Sequence, residues 1–549
     1  MGEVKREGQP EMKATFKVLV VALALVALGT RAWSEDSVEE RLKRLEQIVQ
    51  SQQQQLSERD AQIQRLTTAQ NVASTIASMP TLADAPKKDD PNDMSIKWDK
   101  GLKITTKDKA TSLTIGGRVQ WQMGFVSEDE DWRNQLGQSS TATDGGQGEP
   151  DFVQLRRARL EMGGYFYKHV IWRLQLDYAD SGDADIRDAW MGIKDIPYVG
   201  QWRVGNMTEP FDKEDIESSK YIQFVERSLI NNFTPGRNFG MEFHNSHLDD
   251  RLQWSFGAFR ETDDSCVIRS NSNYIGAARI SGLPYWANEG NRHVHIGIAG
   301  RGATVGAIHD PADPEKHDFD PGAYPETIRF RARPSVRTAY RPLDTGSLSY
   351  IESDYRLSGE LAFNWDSFNL DAQYVGIWLG ADDERENYYY NNGSGTRLTR
   401  YGEDVFLWGA TVQASYWLTG ESRKYSKKEG IYGRVSPKKN FAIDGSGFGA
   451  VQLAARFSYL DFDSDGLTER TYAGDETSAV ALHRDAPGTM WIATAGVNWH
   501  LNPNTRILAN YNYAHVEKEY FDTTAPNLYR HRDLEVNQHA FVFMFQVDW

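Results

Sequence analysis

Apolar and polar residues alternate at every second position in many segments of about ten residues that follow residue 96. From Leu113 to Phe125, apolar or small residues occupy every second position, and Arg118 and Gln120 lie among the polar residues between them. The same pattern recurs from Val170 to Tyr178 and from Phe368 to Trp378. Because successive side chains of a β-strand point to opposite faces, each segment predicts a strand with one apolar and one polar face.

The number and the end of these segments favour a membrane barrel. We count about seventeen segments, and sixteen is the nearest even number for a closed barrel of one chain. The last segment places Phe541, Phe543, Phe545 and Val547 on one face and ends on Trp549. Outer-membrane barrels typically end on such an aromatic strand, which serves as an assembly signal, whereas a soluble β-sandwich, the alternative, has little reason to do so. We predict an all-β fold, a transmembrane antiparallel β-barrel of about sixteen strands over residues 96–549.

The composition is that of a chain that crosses a membrane with strands rather than helices. Hydrophobic residues make up 40% of the chain, the mean hydropathy is -0.60, and no segment after residue 28 has the roughly 18 consecutive apolar residues of a spanning helix. Aromatic residues reach 12%, and Trp and Tyr suit a lipid–water interface. The net charge of -16 argues against a nucleic-acid partner, and the single cysteine, Cys266, excludes an intramolecular disulfide. We expect no metal and no other cofactor.

The first segment of the chain is predicted to direct export. We interpret residues 1–34 as a polar extension followed by a secretory signal peptide, because lysines precede the apolar run Val18–Leu28 and small residues follow at Ala32 and Ser34. Cleavage after Ala32 and cleavage after Ser34 both fit this pattern. Met12 is an alternative start to Met1, since the residues between them are highly polar.

A heptad repeat follows over residues 35–68 and predicts an α-helical coiled coil. Apolar residues recur there at alternating steps of four and three, and Gln52 and Arg59 occupy positions in the seam where polar residues set register or strand number. The alternative is a solvated amphipathic helix. Residues 69–95 contain three prolines and lack periodicity, so we interpret them as a linker.

The segment from Ile328 to Arg337 carries the most distinctive chemistry of the chain. Its apolar and small residues alternate with Arg329, Arg331, Arg333 and Arg337. If this segment is a barrel strand, its guanidinium groups form a row along about 25 Å of the lumen wall. Like charges in a row repel one another, and passing anions or acidic partners offset that repulsion, so the pattern predicts an anion ladder. The alternative is a solvated face near the rim that contacts lipopolysaccharide phosphates.

A second basic group consists of Arg156, Arg157 and Arg159. In a regular strand Arg157 and Arg159 share a face and Arg156 lies opposite, so all three reach the lumen only if the strand bulges or begins there. Together with Arg118 on the preceding segment, they are interpreted as a constriction ring. A compatible alternative is that they pair with acidic residues of neighbouring strands, including Asp188.

Residues 209–240 interrupt the strand rhythm. This segment contains Pro210, an acidic run from Asp212 to Glu217, and Arg227. It is too long for a periplasmic turn, and a barrel of about sixteen strands leaves an aqueous channel that a loop can narrow by folding inward. We therefore predict an inward-folded constriction loop whose charges shape selectivity.

Several of these motifs resemble the phosphate-selective porin O/P family. The resemblance rests on four short runs, together with the signal peptide, the coiled coil and the aromatic last strand. It covers the chain from about residue 113 onward. The four runs are Gln154–Leu160 (QLRRARL), Ile186–Trp190 (IRDAW), Val204–Asn206 leading into Glu209–Phe211, and Phe224–Ser228 (FVERS).

The resemblance implies a homotrimer of barrels that conducts anions through a constriction of arginines and then along an arginine ladder. Arg159 stands where selective members carry an aromatic residue, so the resemblance supports a preference for anions and not for one particular anion. The double arginine of the family falls on Arg156 and Arg157, other constriction positions fall on Arg118, Asp188 and Arg227, and the ladder falls on Arg329, Arg331, Arg333 and Arg337.

These observations predict a passive porin in the outer membrane of a Gram-negative bacterium, exported with a cleaved signal peptide. We expect its solutes to be small anions, either phosphate, polyphosphate or organic acids. Its expected partners are outer-membrane lipid and lipopolysaccharide, two further copies of itself, and the cell wall through the coiled coil. A general or organic-acid porin of weak selectivity is the alternative. An outer-membrane hydrolase is a remote alternative, for which His244, His247, His293 and His295 are candidates in composition only.

Overall fold

The structure is a computed structural model that divides the chain into two units, Met1–Asp90 and Pro91–Trp549. The predicted signal peptide, most of the predicted linker and Arg337 lie outside the described residues. The described residues are 43, 46–60, 62–64, 67, 93–99, 101–131, 151–179, 184–262, 266, 274–305, 328–336, 341–346, 348, 351–381, 403–464, 467, 488–522 and 530–549.

The first unit contains a helix over 46–60 and 62–64, within the predicted coiled coil. Val49, Leu56 and Ile63 recur every seven residues on this helix and are 51%, 60% and 59% exposed. Such an exposed apolar stripe is the sequence feature of a coiled-coil seam, and association through it stays a prediction. Among the described residues, no helix combines the length and the apolar character needed to cross a membrane.

The second unit is built from antiparallel strands. Its helical turns are a short α-helix at Lys213–Ile216 and 3₁₀ turns at Leu229–Phe233 and Asn288–Gly290. The strands are, in chain order, β1 (Met94–Trp98), β2 (Leu102–Thr106), β3 (Ser112–Glu128), β4 (Phe152–Phe166), β5 (Val170–Asp177), β6 (Asp185–Ile196), β7 (Gly200–Thr208), β8 (Arg237–His247), β9 (Leu252–Arg260), β10 (Tyr274–Ala287), β11 (Arg292–Thr304), β12 (Arg331–Ala332), β13 (Leu343–Asp344), β14 (Ile351–Trp365), β15 (Phe368–Ala381), β16 (Val405–Trp417), β17 (Tyr425–Ser426), β18 (Ile431–Tyr432), β19 (Ala450–Asp461), β20 (Thr489–Asn502), β21 (Thr505–Asp522) and β22 (Arg530–Asp548).

Sixteen of the strands found in the described part of the chain, β3–β11, β14–β16 and β19–β22, form one closed antiparallel barrel. The predicted fold class and strand number are therefore confirmed. The remaining strands pair as β1–β2, β12–β13 and β17–β18. The β1–β2 hairpin precedes the barrel and pairs with the first residues of β3.

The barrel closes where the last strand meets the first. β22 pairs with β3 from Gln538 to Asp548. Beyond it, the backbone N–H of Trp549 donates to the carbonyl of Gly117 at 3.0 Å, and the N–H of Gly117 donates to the carbonyl of Trp549 at 2.8 Å. The indole of Trp549 lies over Gly117, where a Cβ atom would be only 2.6 Å from the ring. The aromatic terminus thus completes the ladder that closes the barrel.

The two faces of the strands differ as the alternation predicts. On β3, Trp121 and Phe125 point outward and are 51% and 50% exposed, whereas Arg118 and Gln120 point inward and are 2% and 0% exposed. Phe541 and Phe545 of β22 also lie on the outer face. Such an apolar outer face is what a barrel presents to lipid.

The connections at the two ends of the barrel differ in length. At the end that carries Trp549, strands are joined by short turns such as 167–169, 197–199 and 366–367, whereas the opposite end carries longer connections such as 209–236. Outer-membrane barrels place short turns in the periplasm and long loops outside, so we assign the short-turn end to the periplasm. One connection at the short-turn end, residues 418–449, is exceptionally long, and we name it the inserted turn.

The barrel interior is packed by connections that fold into it. Residues 209–236, the constriction loop, lie between β7 and β8 and end four residues earlier than predicted because β8 begins at Arg237. Phe211, Leu229 and Phe233 of this loop belong to one buried cluster with inward residues of β15 and β16. Phe233 is fully buried and stacks on Phe462 with ring centroids 5.4 Å apart. Burial of such a side chain contributes about 2–3 kcal/mol, which fixes the loop against the wall.

The predicted barrel strand from Ile328 to Arg337 is wrong. Only Arg331–Ala332 forms a strand, and it pairs with β13 inside the connection between β11 and β14. The chain turns after Arg333, since Ser335 has a positive φ of 50° and its N–H donates to the Arg333 carbonyl at 2.8 Å. The alternation of apolar and basic residues in this segment does not reflect a strand between lipid and lumen. Its apolar residues face the inner wall of the barrel and not lipid.

Candidate functional site

The constriction loop is held against the barrel wall by polar contacts as well as apolar ones. Lys213 in its short helix donates to Asp371 of β15 at 2.8 Å. Asp212 caps this helix by accepting from the N–H of Asp215 at 3.0 Å, and it also accepts from Gln373 at 3.0 Å. Burial, followed by the nearby carboxylates of Glu360 and Glu214, raises the pKa of Asp212 to about 7. The loop therefore rests on a buried network that includes one carboxyl group sensitive to pH.

Arg227 lies in the constriction loop between two cavities of the lumen. Its guanidinium donates to three backbone carbonyls of the same loop, those of Glu214 at 2.8 Å, Asp215 at 3.1 Å and Glu217 at 2.8 Å. Carbonyl oxygens orient the guanidinium without neutralising it, and Arg227 makes no ion pair with a described residue. Arg227 also lines two cavities, which we name the outer and the inner cavity. It is the residue that the linings of these two cavities share.

The outer cavity, about 290 Å³ in volume, is strongly basic. Arginines from three separate parts of the chain meet there, and Glu226 is the acidic residue in the lining. Arg156, Arg227, Arg331, Arg333 and Arg341 supply its guanidinium groups.

The arginine segment, residues 328–336, contributes to the outer cavity through its alternation. Phe330, Ala332 and Val336 are 4%, 0% and 2% exposed against the inner wall, which leaves Arg331 and Arg333 on the opposite, cavity-facing side. The side chain of Arg331 makes neither a hydrogen bond nor an ion pair with another described residue. The structure thus brings two of the four predicted ladder residues into one cavity.

The other two predicted ladder residues differ from that pair. Arg329 forms an ion pair with Asp344 of β13 and does not line the outer cavity, and Arg337 lies outside the described residues. Arg341, which the sequence interpretation omitted, lines the cavity instead. Burial, followed by the like charges of Arg333 and Arg331, lowers the pKa of Arg341 to about 10, so it stays charged at neutral pH.

The double arginine reaches the lumen through a β-bulge. Gln120 of β3 pairs with Arg157 and the next residue, Trp121, pairs with Leu155, so Arg156 is the extra residue of the bulge. The bulge that the sequence required is therefore present. Arg156 makes two hydrogen bonds to Glu226 of the constriction loop, at 2.7 and 3.1 Å. This contact joins the barrel wall to the loop and partly neutralises the outer cavity.

The remaining predicted constriction residues lie closer to the periplasmic end than the bulge does, and each of them forms an ion pair. Arg118 is bound to Glu161 and also donates to Ser219 at 2.5 Å. Arg159 contacts Asp177 at 2.7 Å, and Asp188 accepts from Arg237 at 2.8 Å. The structure therefore shows the predicted alternative, a set of ion pairs, and a role of these residues in the constriction stays a prediction.

The inner cavity, about 200 Å³ in volume, carries nearly balanced charge. Apart from Arg227, each of its arginines has a carboxylate partner, as Arg203 has in Glu242 at 2.9 Å and Arg279 has in Glu360 at 2.8 Å. The lining includes the acidic residues Asp188, Asp215, Glu217, Glu242 and Glu429. A solute therefore leaves a region of excess positive charge when it passes Arg227.

The inserted turn closes part of the barrel from the short-turn end. Arg423 donates to Glu217 of the constriction loop and to Asp371 of β15, both at 2.7 Å. Its guanidinium stacks on Tyr432 at 3.7 Å from the ring centroid. The alternation could not reveal this contact, because it joins three segments that are distant in sequence.

The histidines suggested for an enzyme support the inserted turn. His295 lies between Glu360 at 3.0 Å and the hydroxyl of Tyr425 at 2.6 Å, and it is fully buried. His293 contacts the Gly290 carbonyl at 2.7 Å. A search of the described residues finds no group of three or more His, Cys, Asp or Glu side chains that could hold a metal ion. His293 and His295 are fully buried, and their contacts with Tyr432 and Tyr425 hold the inserted turn in place.

Comparison with known proteins finds two similar sequences and a similar solved structure. The chain is 23% identical to Porin O of Pseudomonas aeruginosa over 459 residues, which cover 78% of this chain and 88% of that protein. An uncharacterized protein of Caulobacter vibrioides is 24% identical over 404 residues, or 72% of this chain and 70% of that one. An anion-selective porin from Comamonas acidovorans superposes with a TM-score of 0.41 and 10% identity, over 80% of this chain and 100% of that chain.

A family model provides the assignment. The model of phosphate-selective porin O and P matches residues 133–549, which is most of the chain and nearly all of the barrel. Family and fold together indicate a channel rather than an enzyme. The chain belongs to the phosphate-selective porin O and P family and is an outer-membrane porin.

Proposed function

We propose that the protein is an anion-selective porin that conducts phosphate-like and other small anions through an arginine-lined passage. The observation that carries this proposal is the position of Arg227, between the two cavities and without a carboxylate partner among the described residues. A fixed positive charge at a narrow point attracts anions and repels cations, and it does so strongly where the surrounding wall has a low dielectric constant.

The outer cavity supports the proposal because its charges work together. Five arginines face one glutamate there, so an anion that enters from outside meets several donors before it reaches Arg227. Guanidinium groups match the oxygens of phosphate and carboxylate with paired hydrogen bonds. The groups are also spread over separate segments, which favours transfer from one to the next over tight binding at one position.

Planar-bilayer recordings test this function directly. In a KCl gradient, we expect the reversal potential to indicate preferred passage of chloride, and we expect added phosphate to reduce the chloride current. A cation-selective reversal potential would contradict the proposal. Absence of phosphate block with clear chloride selectivity would leave an anion porin without affinity for phosphate.

A general or organic-acid porin of weak selectivity is the second candidate. The charge balance of the inner cavity favours it, because paired arginines retain hydrogen-bonding capacity but attract anions less. Block of the chloride current by succinate and by phosphate separates the two candidates. Equal block by both anions would favour the weakly selective porin, whereas stronger block by phosphate would favour the first candidate.

We also propose that the protein acts as a homotrimer embedded among lipid and lipopolysaccharide. The exposed aromatic outer face supports contact with lipid, and the exposed stripe of Val49, Leu56 and Ile63 supports a coiled coil of several chains that extends toward the cell wall. Removal of residues 35–68 tests the coiled coil. Trimers that persist on native gels while binding to isolated peptidoglycan is lost would assign the coiled coil to the cell wall, and loss of trimers would assign it to assembly.

A further inference from the structure

We propose that the junction between the two cavities binds amphoteric solutes, in which an anionic group and an ammonium group are separated by two or three bonds. Arg227 receives the anionic group, and Asp215 receives the ammonium group. This inference rests on the proposed anion passage and names a solute class within it. The solute is defined by its chemistry, such as a phosphate ester or a carboxylate with a tethered amine.

Asp215 and Arg227 form a pair of opposite charges at one place in the loop. The Arg227 guanidinium donates to the backbone carbonyl of Asp215 at 3.1 Å, and both residues line the inner cavity. The Asp215 side chain has no hydrogen bond and no ion pair with another described residue. The guanidinium of Arg227 is held by backbone carbonyls, which do not neutralise its positive charge. Each of the two charges is therefore available to a solute in the cavity.

Asp215 and Glu429 are the two acids in the lining of the inner cavity that have no ion pair with a described residue. Asp215 is only 8% exposed, and a carboxylate buried to that degree is costly unless it is paired. Asp188, which lines the same cavity, has Arg237 at 2.8 Å and Arg173 at 3.0 Å. Arg237 therefore gives its hydrogen bond to Asp188 and acts on Asp215 only through its charge, so the Asp215 oxygens can accept from a solute.

The charges below Arg227 disfavour a simple anion at this point. The arginines of the inner cavity are paired, for example Arg173 with Asp188, while Asp215 and Glu429 present carboxylates without a described ionic partner. An anion that moves past Arg227 therefore meets two open carboxylates in a cavity whose other arginines are already paired, which weakens its attraction to the cavity. A solute that carries an ammonium group offsets this repulsion and gains a charge-assisted hydrogen bond.

Two phosphate esters of similar size test the inference. Block of the chloride current through the full-length porin is titrated with 2-aminoethyl phosphate and with ethyl phosphate, and inorganic phosphate serves as the reference. We expect 2-aminoethyl phosphate to block at an about fivefold lower concentration than ethyl phosphate, although its net negative charge is smaller. In Asp215→Asn, the two esters should block at similar concentrations.

A matched control and a second variant keep the test decisive. Asp195→Asn removes an exposed carboxylate from a periplasmic turn and should leave the ratio of the two blocking concentrations unchanged. Glu429→Gln removes the second open carboxylate and should lower the ratio less than Asp215→Asn does, so it provides a readout if Asp215→Asn fails to insert. Formation of open pores in KCl and trimers on native gels show that each variant folds and inserts.

The outcomes separate the inference from the proposed function. Equal block by the two esters in the wild type, with normal block by inorganic phosphate, would overturn the amphoteric site and leave the anion porin in place. Failure of all three compounds to block would overturn the amphoteric site and the affinity for phosphate-like anions, whereas a cation-selective reversal potential would overturn the anion porin itself. An ester ratio that persists in both variants would place the ammonium elsewhere and overturn the role of Asp215.

Discussion

The outer and inner cavities are built from the same residue types but differ in how their charges are paired. The described lining of the outer cavity contains five arginines and one glutamate, whereas in the inner cavity the arginines other than Arg227 have acidic partners. Paired guanidiniums still form hydrogen bonds, but their long-range field is largely cancelled. The difference teaches that the number of arginines in a pore lining does not predict its selectivity, since pairing decides how much charge a solute meets.

The first prediction removes the charge of the outer cavity. The triple variant Arg331→Gln, Arg333→Gln and Arg341→Gln should weaken phosphate block of the chloride current by about 30-fold, because three partly exposed charges each contribute about 0.7 kcal/mol. The measurement is a phosphate titration in planar bilayers. Arg292→Gln, which removes a guanidinium paired with Asp366 in a periplasmic turn, is the matched control and should leave block unchanged.

The second prediction concerns Arg227 alone. Arg227→Gln should weaken phosphate block by about tenfold, since one charge without a carboxylate partner is lost between the two cavities. Arg227→Lys keeps the charge but loses the planar guanidinium whose Nε and Nη2 groups reach the three carbonyls, so block should fall to an intermediate value while anion selectivity remains. If Arg227→Gln retains wild-type block, the role of the junction is refuted.

The third prediction concerns the effect of pH on how firmly the constriction loop is docked between the two cavities. The pKa of Asp212 is raised to about 7 by burial and by neighbouring carboxylates. Since the folded-state pKa exceeds the ordinary value, the protonated group stabilises the docked loop at low pH, and this contribution is lost as pH rises through about 7. Current noise and closures should therefore increase between pH 6 and pH 8. Asp212→Asn should remove this pH dependence, and an unchanged dependence in that variant would exclude Asp212 as its origin.

The smallest effect is expected in the inner cavity. Arg203→Gln removes a guanidinium that Glu242 already compensates at 2.9 Å, so phosphate block should change by no more than about twofold. The same titration measures it. An effect as large as that of Arg227→Gln would contradict the distinction between paired and unpaired arginines.

The sequence predicted the barrel well because the pattern of a strand between lipid and water depends only on residues that are close together in sequence. Every second residue faces one medium, so period-two alternation and the terminal Trp549 were enough to predict the fold. The bulge at Arg156 was also predictable, since three basic residues in four positions reach one face only if the strand is interrupted.

The site was predicted less completely because alternation does not say what covers the apolar face. The apolar residues of the arginine segment pack against the inner wall of the barrel. The segment is therefore part of a connection that folds into the lumen, although its alternation led us to predict a barrel strand. Glu226 was missed as a site residue because its partner Arg156 lies 70 residues away along the chain. Arg341 was missed because it stands outside the alternating segment. Contacts of this kind depend on how loops fold into the lumen, which no local pattern records.

The reversal potential in a KCl gradient tests the central claim most directly, because it reports the charge that a permeating ion meets and not the net charge of -16 of the whole chain. We expect the wild-type pore to prefer chloride, and we expect the triple substitution of Arg331, Arg333 and Arg341 to remove most of this preference. A wild-type pore that prefers potassium, or a triple variant with an unchanged reversal potential, would contradict it.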